Sequence, residues 1–191
     1  MGYADFVRLK DHDYAGGEHH YLASATRDSA KSLASLLFEW YKLDPSSSPT
    51  NSTLGRYAAR GVLSYLEASS ILCATVFIET FLSLCISAQP TILSERLPLS
   101  TWPEKTAHEE EILLTKLASL NFLQLVIRTC QVGSAEHQVK RAGNNEGMQT
   151  VAPGRQAWNQ LINKYEREVP WLKEPEVKEV RQAATSNKAM R

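Results

Sequence analysis

Cysteine is scarce in this chain of 191 residues: Cys73, Cys85 and Cys130 are widely spaced and odd in number, a pattern that excludes a disulfide framework. Two of them stand inside strongly apolar runs, so they read as small buried hydrophobes of a reducing compartment rather than as activated nucleophiles. Charge of one sign is also missing. Lysine plus arginine number 21 and aspartate plus glutamate number 21, giving a formal net charge of zero and a pI near 7.0. That balance gives no reason to expect nucleic acid or an anionic membrane as the main partner. The opening "MGYADFVRLKDHD" has no apolar core of the kind a signal peptide needs, and Phe6 holds the position where myristoylation wants serine or threonine. One long apolar run exists, "ILCATVFIETFLSLCI" at 71–86. It falls short of a membrane span of about 18–20 apolar residues and carries Glu79 near its centre, so it reads as a fully buried helix. A cytosolic location without direct membrane insertion is expected. There is no glycine-rich phosphate loop, no GxSxG elbow and no pair of carboxylates in an apolar setting, so neither an enzyme nor a cofactor is expected.

Proline and glycine are sparse before residue 88, and strand-like alternation is nearly absent. In their place alanine, leucine and serine recur at helical spacing. Asp28 is the expected N-cap of "SAKSLASLLFEWYK", where Leu33, Leu36, Leu37 and Trp40 form one apolar stripe. After the loop "LDPSSSPTNS", Thr53 is the expected cap of a helix whose Tyr57, Ala58, Val62, Tyr65 and Leu66 share a face. Gly61 inside that helix costs about 1 kcal/mol relative to alanine unless a neighbour approaches closely there. Ser69 and Ser70 separate it from the 71–86 helix. Residues 87–107 hold three prolines among Ile92, Leu93, Leu97, Leu99 and Trp102, and predict a long ordered loop or a small hairpin. "HEEEILLTKLASLNFLQLVIRTCQ" then reads as a helix with acids in its first turn. Residues 132–155, glycine-rich and polar, read as a flexible insertion. A closing pair of amphipathic helices is expected at 156–182, one around Trp158, Leu161, Ile162 and Tyr165, the other from Pro175 through Val180, with 183–191 as a disordered tail. Helices in sequential pairs with short turns make the expected fold class all-α: an α-solenoid of antiparallel pairs, a tetratricopeptide-like superhelix without an exact repeat motif.

The stretch "GGEHHYLA" at 16–23 sets a carboxylate beside two imidazoles. Adjacent histidines on a helix point about 100° apart, whereas chelation wants i and i+4 spacing. Glu18, His19 and His20, even with His12 from the preceding segment, therefore read as a partly solvated helix face rather than a metal site. What remains unexplained is apolar surface: Trp102, Trp158, Trp171 and the 87–107 leucines exceed what a small helical stack buries, and this points to a protein partner.

The order of segments adds a resemblance. Glu18, His20, Tyr21 and Leu22, then Glu39, Trp40 and Tyr41, then Ala59 to Leu63 with Tyr65 and Leu66, and finally "LNFLQL" at 120–125 resemble, in that order, the C-terminal half of the fourth factor of the guided-entry-of-tail-anchored-proteins pathway, the Golgi-to-ER traffic protein family. The likeness covers roughly residues 14–180, and "LNFLQL" is its most specific part. It implies a non-enzymatic α-solenoid adaptor that holds a ubiquitin-like partner, the pathway's fifth factor, on its C-terminal half. The family docks a targeting ATPase on the other half; this chain opens at Met1 midway through the family's helices, so that activity is expected to be missing. Ser64 stands where the family often has proline, and "QAATSNKAMR" replaces an aromatic last turn, a change expected to open a groove beside Trp158 and Tyr165.

The expected mode is helix-in-groove capture of the partner's N-terminal segment, with Leu93, Leu97, Trp102, Phe122, Leu125, Val126, Trp158 and Tyr165 as candidate anchors. A helical-repeat scaffold for a different partner is the rival reading.

Overall fold

A computed structural model describes residues 13–45, 52–98, 111–142 and 153–174. Among them run six α-helices: α1 Tyr14–Ser24, α2 Arg27–Leu43, α3 Ser52–Glu67, α4 Ile71–Ala88, α5 Ala118–Ala142 and α6 Pro153–Tyr165. A two-stranded antiparallel sheet, β1 Leu93–Pro98 and β2 Glu111–Thr115, is set between α4 and α5. Each helix packs on the next in sequence, and α2 also packs on α4 and α3 on α5. Contact with both the next helix and the next but one is the arrangement of a two-layer solenoid, as expected.

The helix ends follow local chemistry, though not always the expected residue. Asp13 opens α1 by accepting from the Gly16 N–H at 2.8 Å. Ala25 closes it in the left-handed region, φ 44°. Because the chain turns there, the cap of α2 is Thr26 and not Asp28: Thr26 Oγ1 accepts from Ser29 N at 3.1 Å and Ser29 Oγ accepts from Thr26 N at 2.9 Å, a reciprocal capping box. Asp28 sits instead in the first turn, where its charge faces the positive helix end. Leu33, Leu36 and Leu37 are fully buried as the stripe predicts, with Trp40 at its half-buried edge.

The close approach anticipated at Gly61 is present. A Cβ there would overlap the ring of Phe77 on α4, and Phe77 is fully buried. Gly55 plays the same part toward α5, leaving room for the Ser119 side chain. Small residues on α3 thus set its distance to both neighbours.

Helix α4 is long and apolar enough to cross a membrane by length and composition, yet it packs on α2, α3 and α5. It is not buried all round. Cys73, Ala74, Phe77, Ile78, Phe81, Leu82 and Cys85 face the core, while Leu72, Glu79 and Ser83 form an exposed strip on one side.

Residues 87–107 contribute a hairpin strand, one of the two expected forms, but its second strand lies further on. Glu111–Thr115 is β2, not the first turns of a helix, and α5 starts at Ala118. At its other end α5 runs to Ala142, well into the stretch read as an insertion at 132–155. "AEHQVKRA" after Gly133 is made largely of good helix formers, and their summed preference carries the helix past the glycine. Helix α6 begins at Pro153 rather than 156, with proline at the position where its missing N–H costs nothing. It is followed by a short 3-10 turn, Pro170–Lys173, that buries Trp171 and Leu172. The helix expected from Pro175 through Val180 and the tail at 183–191 lie outside the described residues.

Candidate protein-docking surface

The hairpin register sets the geometry of the surface. Leu97 is opposite Ile112, Glu95 opposite Leu114 and Arg96 opposite Leu113. Directly opposed residues share a face of the sheet, and alternate residues take the other face. Leu113 packs against the core. Leu97, Ile112 and Leu114 therefore belong to the opposite face: Leu97 is 37% exposed, the other two are half-buried, and none joins the core cluster. Arg96 Nη1 lies 3.4 Å from Glu111 Oε2 across the strands.

Beside this face, β2, α4 and α5 enclose a half-open cleft of about 140 Å³. Ile78, Leu82, Ile112, Leu113 and Ile127 supply its apolar wall. Glu79, Glu111 and Arg128 line its polar side. Arg128 Nη1 donates to Gln131 Oε1 at 3.0 Å, and Gln131 Nε2 donates to Thr75 Oγ1 at 3.2 Å, tying α5 to α4 along one rim. The space suits one or two apolar side chains between charges of both signs.

The predicted anchors do not all meet here. Leu97 is on the apolar hairpin face, and Leu93 is half-buried at the hairpin base, opposite Thr115. Leu125 is half-buried on α5. Phe122, Val126 and Trp158 are core residues, exposed by 1%, 0% and 3%, so an incoming segment cannot reach them without unpacking the chain. Tyr165 is half-buried, its ring 5.6 Å from that of Phe122, which in turn meets Trp171 edge-on at 5.9 Å. Burial, with Glu168 nearby, raises its hydroxyl pKa. The groove expected beside Trp158 and Tyr165 is thus occupied by the chain's own aromatics, because the turn at 170–173 folds back over α5. Trp102 lies outside the described residues. Ile112 and Leu114 were missed, since β2 reads as helix when taken alone; "EILLT", with β-branched Ile112 and Thr115 just before the helix start, was the available signal.

The histidine stretch proves structural in a way its sequence did not show. His19 and His20 are exposed, whereas Glu18 is buried, 6% exposed, and not on a solvated edge. Arg60 on α3 grips it side-on: Nε to Oε1 at 2.6 Å and Nη2 to Oε2 at 2.6 Å. The same guanidinium lies 4.7 Å from the ring centre of Trp40, which stacks on Tyr14 at 5.6 Å. One arginine thereby joins α1, α2 and α3, with both carboxylate oxygens of Glu18 engaged. His12 lies outside the described residues. Nearby, Tyr57 donates to Asp44 Oδ2 at 2.9 Å, and burial together with that carboxylate pushes its pKa up to about 12. The three cysteines are free and buried; burial raises Cys85 to about 12 and Cys130 to about 11, which makes both thiols unreactive at neutral pH.

The model of one protein family, described as Golgi to ER traffic protein 4, matches residues 6–182. The chain belongs to the Golgi to ER traffic protein 4 family. A solved structure, a crystal structure of C. therm. Get4, superposes with a TM-score of 0.66 at 22% identity over 96% of this chain. At that identity the likeness is one of fold, and it supports the solenoid reading. The chain spans about half, 47%, of the length of that Get4 structure. No curated protein sequence matches.

Proposed function

We propose that this member of the Golgi to ER traffic protein 4 family is a non-enzymatic adaptor of tail-anchored membrane protein targeting that captures the N-terminal segment of a ubiquitin-like partner. The segment lies as an amphipathic helix along the hairpin, with apolar residues on Leu97, Ile112 and Leu114 and one or two side chains in the adjoining cleft. The observation that carries the reading is the apolar hairpin face, which the described residues leave partly exposed. Leu93, at the hairpin base, is a secondary contact.

Calorimetric titration of the chain with the partner's N-terminal segment tests this. Leu97→Asp and Ile112→Asp should each weaken binding by about 2 kcal/mol or more, the scale of interface hot spots, while Leu97→Asp leaves the thermal midpoint unchanged. Absence of a complex with the unmodified chain at micromolar concentration defeats the proposal and favours a helical scaffold with another partner.

A further inference from the structure

We propose that Asn121 and Gln124 are positioning residues that act as a substitute third strand, holding the hairpin on α5 at the angle that presents Leu97, Ile112 and Leu114. The presentation half of this inference rests on the function proposed above; the anchoring half stands on geometry alone.

A two-stranded sheet leaves the outer edge of each strand unpaired, and an isolated hairpin is marginal in water. Here the outer edge of β2 is paired by side chains. Gln124 Oε1 accepts from Leu113 N at 3.0 Å, and Gln124 Nε2 donates to Leu113 O at 2.8 Å. Two residues along, Asn121 Oδ1 accepts from Thr115 N at 2.8 Å, and Asn121 Nδ2 donates to Thr115 O at 2.7 Å. Each carboxamide exchanges both bonds with one strand residue, as a backbone does at a hydrogen-bonded antiparallel pair. Leu113 and Thr115 both turn their backbone groups to this edge because alternate strand residues do so, while Asn121 and Gln124 lie three apart and share a helix face. The two periodicities meet at this spacing.

The orientation of the amides is fixed by the pairing. Turned over, Gln124 would set its donors against Leu113 N, and a second donor would lose the 3.5 Å contact with Leu120 O. Thr115 reinforces the joint, its Oγ1 accepting from Leu117 N at 3.2 Å ahead of the first turn of α5. Gln124 also lines the cleft, so the same residue joins hairpin, helix and cavity. Neither a carboxylate nor an aliphatic residue can do this work at neutral pH. The first cannot donate and the second can do neither.

Amide hydrogen exchange on the whole chain without any partner decides the anchoring. The Leu113 and Thr115 amides should be protected in the unmodified protein. In Gln124→Met, of similar volume, Leu113 should exchange about tenfold faster or more while α2 and α4 amides keep their protection. In Gln124→Glu at neutral pH the carboxylate still accepts from Leu113 N but cannot donate to Leu113 O, so protection at Leu113, corrected for the intrinsic pH dependence of exchange, should fall only in part and recover as acid protonates the new carboxyl. Random-coil exchange at Leu113 and Thr115 in the unmodified chain, or Gln124→Met with full protection, overturns the anchoring. Calorimetry with the partner's N-terminal segment decides the presentation. A roughly tenfold loss of affinity in Gln124→Met supports it, and unchanged affinity despite fast exchange overturns it. Protected amides together with no binding by the unmodified chain would reject the proposed partner, and with it the presentation, while upholding the anchor.

Discussion

Replacing Gly61 by alanine sets two opposed effects of similar size against each other. In a helix interior the change is favourable by about 1 kcal/mol, because alanine loses less backbone entropy. Against this, the added methyl would overlap ring carbons of Phe77, and apolar carbons settle at about 3.5–4.0 Å. The ring cannot move aside cheaply. Phe77 is fully buried, stacked on Phe81 at 5.7 Å and 21°, and meets Tyr65 at 6.3 Å. Relief requires α3 and α4 to separate by something on the order of 1 Å, which places the cost toward the upper part of the overpacking range of about 1–3 kcal/mol. The net expectation is a loss of about 1–2 kcal/mol. Urea unfolding followed by circular dichroism should show the midpoint falling by roughly 0.5–1 M for a slope of about 2 kcal/mol/M. In a Phe77→Leu background the overlap is relieved, so the same Gly61→Ala change should become neutral or stabilising, a coupling that a double-mutant cycle measures. An unchanged or higher midpoint in the otherwise unmodified chain, or equal destabilisation in both backgrounds, would refute the reasoning.

Arg60→Met should destabilise more than Glu18→Gln, by about 2 kcal/mol against about 1, because it strands a buried carboxylate whereas the reverse change leaves a half-exposed guanidinium still resting on Trp40; equal midpoints in denaturant would contradict this. Trp158→Ala should cost about 3–5 kcal/mol of stability as a core deletion, so a folded, fully stable variant with reduced partner binding would show that Trp158 is a surface anchor after all. Stability should fall as pH rises past the ordinary thiol value of 9.0 and continue to fall toward 12, since Cys85 and Cys130 are held as neutral thiols in the fold and ionise more readily once unfolded. Cys85→Ala should flatten that decline, and alkaline unfolding curves of identical shape would argue against it.

Several features were legible because they depend on neighbours in sequence. The stripe of Leu33, Leu36 and Leu37, the break at Ser69 and Ser70 and the close contact implied by Gly61 all follow from helical periodicity or from one residue's lack of a side chain. The failures lie where two local signals compete or a distant residue decides. Thr26, Asp28 and Ser29 are all acceptable caps, and the turn at Ala25 selected Thr26. "EILLT" follows acids that suit a helix start, but its strand form is held by β1 on one edge and by Asn121 and Gln124 on the other, all separated from it by turns. Glu18 looked solvated beside two exposed histidines until Arg60, far along the chain, took both its oxygens.

The sequence alone determined the helical class, the approximate extent of α2, α3 and α4, the neutral surface balance and the buried character of the cysteines, because apolar spacing and composition act within a few turns. Tertiary structure decided which apolar residues face water. Phe122, Val126 and Trp158 are apolar on any reading, yet only the folding of the 170–173 turn over α5 and the pairing of β2 to its helix show that these are interior while Leu97, Ile112 and Leu114 stay partly exposed. Burial is a property of what covers a side chain, and those covers come from segments that the local pattern does not connect.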